Sequence, residues 1–280
     1  MQPEEIRELT GRRVVVIGGT GGIGFATVRA LLGTGADVLA TGRDSSRLDK
    51  VEKTGAHVTR LDLGDEASPS ALADAVERHL GGLDGVVAAA GGYGPIGPTR
   101  RVDLAALRAS LQENLLGPLG CIQALAPFLD SAPDPSIVLL SGGGATAPLP
   151  HYAAYSIAKV ATVRLAEMLA IEEPHWRVNA VAPGFVATRI HDSTLAAGPE
   201  LAGSVYEDTQ RQTERAVPPE RAAALIAFLL GPRAAGITGR LVSAVWDPWD
   251  EGAGRDMLRG HPTFGRLRRV DCQRIVDAEG

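Results

Sequence analysis

Arg13-Val14-Val15-Val16-Ile17 runs directly into Gly18-Gly19-Thr20-Gly21-Gly22-Ile23-Gly24, and Phe25 to Leu32 follows with apolar residues at helical spacing. A short β-branched run without polar alternation reads as a strand buried on both faces of a parallel sheet. Glycines between such a strand and a helix permit a tight turn and close approach of the backbone to a pyrophosphate, whose charge is favoured at a helix N-terminus. Gly18, Thr20, Gly21, Gly22, Ile23 and Gly24 are therefore expected to hold a dinucleotide. A purely structural glycine turn is the competing reading, and the strand and helix flanking the turn weigh against it.

The same alternation continues outward. A second strand, Asp37 to Thr41, ends at Gly42-Arg43. In dinucleotide folds an acid about 20 residues past the glycines holds the adenosine ribose, whereas a nearby Arg accommodates a 2′-phosphate. Here Gly42 leaves room and Arg43 supplies charge, with Arg47 one helical turn on and Asp44 opposing them, so NADP is favoured and NAD remains possible. A third strand, Ala56 to Leu61, stops at Asp62-Leu63, placing both at the adenine edge, with a turn or cap role equally open for Asp62. A helix from Pro69 to about His79 leads to a fourth strand, Gly85 to Gly91. Leu104 to Leu129 is helical by periodicity, with Asn114 interrupting its apolar rows. Ile137 to Leu140 forms a fifth strand closed by Ser141-Gly142-Gly143-Gly144. Arg177 to Ala182 forms a sixth, ending at Pro183-Gly184-Phe185-Val186-Ala187-Thr188, and Leu241 to Val245 a last one. This pattern specifies an α/β fold, a Rossmann-type doubly wound parallel sheet of about seven strands, with ligand at the strand C-termini. Residues 1–245 are expected to form one dinucleotide-binding catalytic domain, and 246–280 a C-terminal extension over the active site or a subunit interface.

In His151-Tyr152-Ala153-Ala154-Tyr155-Ser156-Ile157-Ala158-Lys159, Tyr155 and Lys159 stand four apart and share one face of a helix that reaches about Ile171. A phenol titrates near about 10, and a neighbouring cation lowers that value. The pair suits proton transfer to or from an alcohol oxygen. On its own it is a common surface arrangement, and its weight comes from the strands around it.

Composition sets outer limits. The 280 residues are 45% hydrophobic with a net charge of −5, which fits one close-packed domain and argues against a nucleic-acid surface, although Arg255, Arg259, Arg266, Arg268, Arg269 and Arg274 cluster near the C-terminus. Cys121 and Cys272 cannot build a disulfide framework, and no ligand spacing proposes a metal site. Without an exported leader or an apolar run long enough for a bilayer, a soluble cytoplasmic protein is expected.

Taken together, the glycine loop, Asn114, the strand end at Ser141, Tyr155-x-x-x-Lys159 and Pro183-Gly184 resemble the short-chain dehydrogenase/reductase family from about Arg13 to Val245. The resemblance implies hydride transfer between a nicotinamide and a carbonyl or alcohol. It implies Tyr155 as the proton donor to the developing alkoxide, Lys159 as the group that lowers its pKa and binds the nicotinamide ribose, and Asn114 as holder of a relay water. A strand-end Ser would orient the carbonyl, and Val186 and Thr188 would hold the carboxamide. Ala90 and Gly91 would pass beneath the adenosine ribose. Three departures stand out. Ala88-Ala89-Ala90-Gly91 replaces the family's Asn-Asn-Ala-Gly; Gly142 occupies the family's usual Ser spacing, leaving Ser141, Thr146 or a backbone amide to serve, with Ser141 preferred; and the chain continues past its last strand through Trp246-Asp247-Pro248-Trp249-Asp250.

Substrate contacts are expected from Tyr93 and Ile96, from His151 and Tyr152, from a mobile segment beginning at Ile190 and ending at Gly203, and from Asp247, Trp249 and His261 of the tail, with a packing role as the alternative for Trp246 and Trp249. The reading is an NADPH-dependent ketone reductase acting on a small polyhydroxylated or secondary-metabolite-like molecule. The competing readings are a dinucleotide-binding sensor or scaffold without efficient turnover, and an epimerase or dehydratase that retains its cofactor. The resemblance also implies a homodimer or homotetramer packed through the long helices.

Overall fold

The structure is a computed structural model that describes residues 8–269. Seven strands, β1 (Arg13–Ile17), β2 (Asp37–Gly42), β3 (His57–Arg60), β4 (Gly85–Ala88), β5 (Ser136–Leu140), β6 (Arg177–Ala182) and β7 (Arg240–Ser243), form one sheet in the order β3-β2-β1-β4-β5-β6-β7. Every pairing is parallel. Strand order reverses between β1 and β4, and a crevice for a ligand opens at such a reversal.

The unbroken apolar runs are explained by two cores. Successive side chains of a strand point to opposite faces, so Val14 and Val16 join Val28, Leu31, Leu225 and Leu229 of α1 (Gly22–Gly33) and α9 (Pro219–Leu230) on one face. Val15 and Ile17 join Leu72, Val76, Leu125 and Val163 of α3 (Ser68–Leu80), α5 (Gly117–Asp130) and α6 (Ala153–Glu172) on the other. Each such side chain, removed from water, contributes about 1.5–3 kcal/mol. Polar alternation at either set of positions would strip one face of its helices.

Local chemistry shifts several boundaries. Asp44 is the N-cap of α2 (Ser45–Glu52), its carboxylate accepting from Ser46 N–H at 2.9 Å. The fourth strand stops at Ala88, three residues short of the sequence expectation, and Gly91 beyond it sits at φ +154°. The stretch expected as one helix from Leu104 is α4 (Leu104–Leu111), a π-helical turn over Gln112–Leu116, and α5. Pro118 supplies the reason. It has no N–H to donate to the Asn114 carbonyl four residues back, so the α pattern fails at Asn114. The segment expected to be mobile is mostly helix, α7 (Asp192–Ala202), followed by α8 (Ser204–Thr213).

Past β7 the chain folds back on the body. Trp249 packs on Phe228 in the first core and donates from Nε1 to the Ala244 carbonyl. After α10 (Gly252–Gly260), residues 263–267 run beside β7, where Leu241 N–H donates to the Gly265 carbonyl at 2.7 Å. Buried Glu167 of α6 accepts from Leu267 N–H and from Arg268. The basic cluster is dispersed by this arrangement: Arg255 donates to the Asp250 carbonyl, and Arg259 to the carbonyls of Ala235 and Arg233. Arg274 and Cys272 lie outside the described residues. Among the described residues no helix is long and apolar enough to cross a membrane.

α1 approaches the glycine turn too closely for a side chain, since a Cβ on Gly24 would lie 2.2 Å from the Gly18 carbonyl oxygen. Gly24→Ala is expected to cost about 1–3 kcal/mol of stability, read as a lowered midpoint in urea unfolding.

Candidate active site

A cavity of about 1040 Å³ follows the C-terminal ends of the strands. At its centre is the glycine turn. Gly18 sits at φ +86°, and a Cβ there would lie 2.6 Å from the backbone nitrogen of Ala90. A Cβ on Gly22 would lie 2.4 Å from the Thr188 methyl, so the loop after β6 closes over the turn from the other side. What remains is a cradle of bare backbone at the start of α1, suited to a diphosphate. A dinucleotide fits this arrangement. Thr20, Gly21, Ile23, Gly91, Pro183, Gly184 and Val186 border the same cavity. Arg189, which the sequence reading passed over, reaches back across it to the Thr20 carbonyl at 3.5 Å.

At the β2 end the wall is Gly42, Arg43, Asp44, Arg47, Leu61, Leu63 and Glu113. Two guanidinium groups are present, each with an acid beside it: Arg43 pairs with Glu113 at 2.8 Å and Arg47 with Asp44 at 3.3 Å. Asp62 is not part of this wall. Its carboxylate accepts from Gly64 N–H at 3.1 Å, capping the turn after β3.

At the other end stand Tyr155 and Lys159, one helical turn apart on α6 and both buried. Lys159 Nζ donates to the Leu140 carbonyl at 2.9 Å and lies 5.5 Å from the centre of the Tyr155 ring. Their titration differs from the sequence expectation. Burial pushes the Tyr155 phenol up to about 12 and draws the Lys159 amine down to about 8, so loss of solvent outweighs any lowering of the phenol by its neighbour. Asn114 sits in the π-helical turn with Oδ1 accepting from Gly92 N–H at 3.1 Å and Nδ2 donating to the Ser110 carbonyl at 2.9 Å. A separate void of about 10 Å³ lies against Asn114, Pro118 and Leu140. That is about the room one water needs.

A family model described as Enoyl-(Acyl carrier protein) reductase matches residues 18–244. The chain belongs to the short-chain dehydrogenase/reductase family. It is 32% identical over 250 residues to the short chain dehydrogenase mpl6 of Monascus purpureus, covering 85% of this chain and 82% of that one. It is 31% identical to cis-4-hydroxycyclohexanecarboxylate dehydrogenase of Sinomonas cyclohexanicum, covering 83% of this chain and 94% of the relative. Among solved structures it is similar to a short chain dehydrogenase from Shigella flexneri complexed with NADP, with a TM-score of 0.74 and 26% identity over 85% of this chain and 99% of that one.

As a short-chain dehydrogenase/reductase the chain is unusual beside its Tyr. Ser141, expected to orient the substrate, is turned away: its buried hydroxyl donates to the Lys159 backbone carbonyl at 3.2 Å. Alternation along β5 is the cause, because a shift of one residue sends a side chain to the opposite face. The position that faces the phenol is Gly142, where a Cβ would lie 2.4 Å from the Tyr155 hydroxyl. No hydroxyl-bearing side chain stands there, and the phenol occupies the space one would need.

The substrate side is lined by Tyr93, Thr146, Leu149, Ile190, His191 and Val205. Of the residues expected there, Tyr93 and Ile190 are in place. Tyr152 is fully buried behind Tyr93, and its hydroxyl is spent on Thr194 Oγ1 at 2.9 Å. His151 adopts φ 72° and its Nδ1 bonds the Leu201 carbonyl, bracing the start of α6 against α7. Trp249 is a core anchor, and the tail instead presents Trp246, 84% exposed, with Asp247 and Phe264 at the cavity wall. Asp247 accepts from Ser243 N–H at 2.7 Å, and burial raises its pKa. His261 caps its own turn through Phe264 N–H. His191 falls within the 190–203 segment and Trp246 within the tail motif, and neither stands out there from its neighbours. A rim aromatic is recognisable only once the fold has placed it.

Gly142→Ala tests the nesting of the phenol. A methyl group there must displace the Tyr155 hydroxyl by about an ångström, and the expected result is a ten- to hundredfold fall in turnover, on the order expected for such a misplacement, with cofactor affinity by fluorescence titration retained.

Proposed function

We propose that the protein is an NADPH-dependent ketone reductase that interconverts a ketone and a secondary alcohol on a small polyhydroxylated or secondary-metabolite-like molecule. The observation that carries this reading is the Tyr155 hydroxyl, buried beside an amine at one end of the cavity that holds the glycine cradle at its centre. When bound, a reduced nicotinamide supplies a hydride to the carbonyl carbon. Tyr155 gives its proton to the carbonyl oxygen, so the C=O bond becomes H–C–O–H and a phenolate is left. A phenol pushed up to about 12 carries its proton at neutral pH, the protonation state that reduction of a carbonyl requires. Lys159, with its amine near 8, carries charge at neutral pH and stabilises that phenolate. Asn114 borders the water-sized void, and its carbonyl, deprived of its helical donor by Pro118, would hold a relay water through which the proton is replaced.

Arg43 and Arg47 support a 2′-phosphate and hence NADP, and Glu113 and Asp44 temper that preference enough to leave NAD possible. Val186, Thr188, Pro183 and Gly184 would hold the nicotinamide end. The tail from residue 246, through Trp246, Asp247 and Phe264, would close the cavity on one side. Self-association as a dimer or tetramer is supported by exposed Leu104, Leu116, Ile157, Val160, Met168 and Ile171 on α4, the π-helical turn and α6. Ala153 and Ala161 are half-buried on α6, whereas Ala166 is buried in the second core.

One observation favours a second reading: the absence of a hydroxyl at Gly142 fits a dinucleotide-binding sensor with little turnover. NADPH oxidation against a ketone panel separates the two. Tyr155→Phe is expected to lose at least about a hundredfold in rate, the usual share of a general acid, and equal rates in the two proteins would support the sensor. The pH profile gives an independent check. The ammonium of Lys159 is present below about 8 and lost above it, while the phenol stays protonated to about 12. Reduction is therefore expected to hold its rate up to about pH 8 and to fall beyond it.

A further inference from the structure

Tyr93 lies edge-on to Tyr155 with ring centres 4.9 Å apart, and both line the cavity. Its hydroxyl is 3.0 Å from His191 Nδ1. The other ring nitrogen, Nε2, is 3.1 Å from the Val186 carbonyl. A carbonyl only accepts, so Nε2 must carry the imidazole proton. In a neutral ring Nδ1 is then bare, and the Tyr93 hydroxyl is the donor of their bond. Burial lowers the pKa of His191, which keeps the ring neutral near pH 7. Stacking on Phe185, 4.1 Å away at 22°, fixes the ring plane. On the far side Tyr152 cannot compete for the phenol, because its own hydroxyl is committed to Thr194.

The proton of Tyr93 is thus consumed, and what its oxygen offers the cavity is lone pairs. We infer that Tyr93, with its polarity set by His191, is a specificity-determining residue that selects ketones carrying a hydroxyl near the reacting carbonyl. A substrate hydroxyl can donate to Tyr93 while Tyr155 donates to the neighbouring carbonyl oxygen. A second carbonyl at the same place meets lone pairs instead of a donor, and a bare methylene leaves the phenol oxygen unpaired. This rests on the ketone reductase reading above, and it assigns that site its substrate class: hydroxy ketones, and vicinal or near-vicinal diols in reverse.

Three matched probes test it: 3-hydroxybutan-2-one, butane-2,3-dione and butan-2-one. Each is titrated into the NADPH-loaded protein by quenching of nicotinamide fluorescence, in a Tyr155→Phe background so that binding is read without turnover, and each is also assayed for kcat/KM in the unmodified protein. The expected binding preference for the hydroxy ketone over either partner is about tenfold, the scale of one buried hydrogen bond. Tyr93→Phe should bring that ratio to about one. His191→Phe keeps the ring stack on Phe185 but removes the acceptor, freeing the Tyr93 proton, so the preference should swing to the dione. A merely structural role for either residue would weaken all three probes together and would overturn the inference, as would equal binding of the three by the parent protein. If the reductase reading itself fails, no ketone is turned over, and the binding ratios still decide the role of Tyr93.

Discussion

The amine of Lys159 is the group on which the rest of the cleft depends. A buried cation without partners costs several kcal/mol, and this one is tied to β5 at both ends of its residue. Its Nζ donates to the Leu140 carbonyl, and its backbone carbonyl accepts from Ser141 Oγ. Those two bonds dock α6 against the strand end and thereby fix where Tyr155, one turn earlier, can place its ring. Gly91 belongs to the same constraint, since a Cβ there would lie 2.5 Å from Asn114 Oδ1 and 3.5 Å from Lys159 Nζ. The bare backbone after β4, the broken helix carrying Asn114 and the docked α6 converge on one amine.

With Ser141 used for docking, the carbonyl oxygen of a substrate loses one donor. A preorganised donor to developing oxyanion charge is worth on the order of 3 kcal/mol, which slows chemistry without removing it. Gly142 offsets part of that loss sterically by letting the phenol sit deep against β5. Depth also has an electrostatic consequence, because the same burial holds the proton on Tyr155 and makes the amine easier to discharge.

Much of the fold could be read from the chain because buried parallel strands need apolar residues on both faces, and the short β-branched runs at 13–17 and 137–140, set between turn and helix signals, meet that need. The glycine turn was legible for a related reason: Gly18 and Gly24 stand where no Cβ fits. The catalytic face was less so. Whether Ser141 or Gly142 faces Tyr155 depends on one step of strand alternation, which composition does not encode. Tyr93 and Tyr152 look alike as sequence, and only packing decides that one lines the cavity while the other is sealed behind it. His191 lies between β6 and α7, in a turn with no period to announce it. The break at Asn114 had a visible cause in Pro118, four residues on, which a helical reading by apolar rows alone does not weigh.

The chain beyond β7 bears on how copies of this protein meet. A parallel edge strand normally shows a row of unsatisfied N–H groups. Here Leu241 N–H is taken by Gly265 and Ser243 N–H by Asp247. The last strand therefore has no donors left to offer a neighbour, and the sheet cannot be continued sideways at that margin into an intermolecular ribbon. A stack growing strand by strand from this margin has no donor to start on.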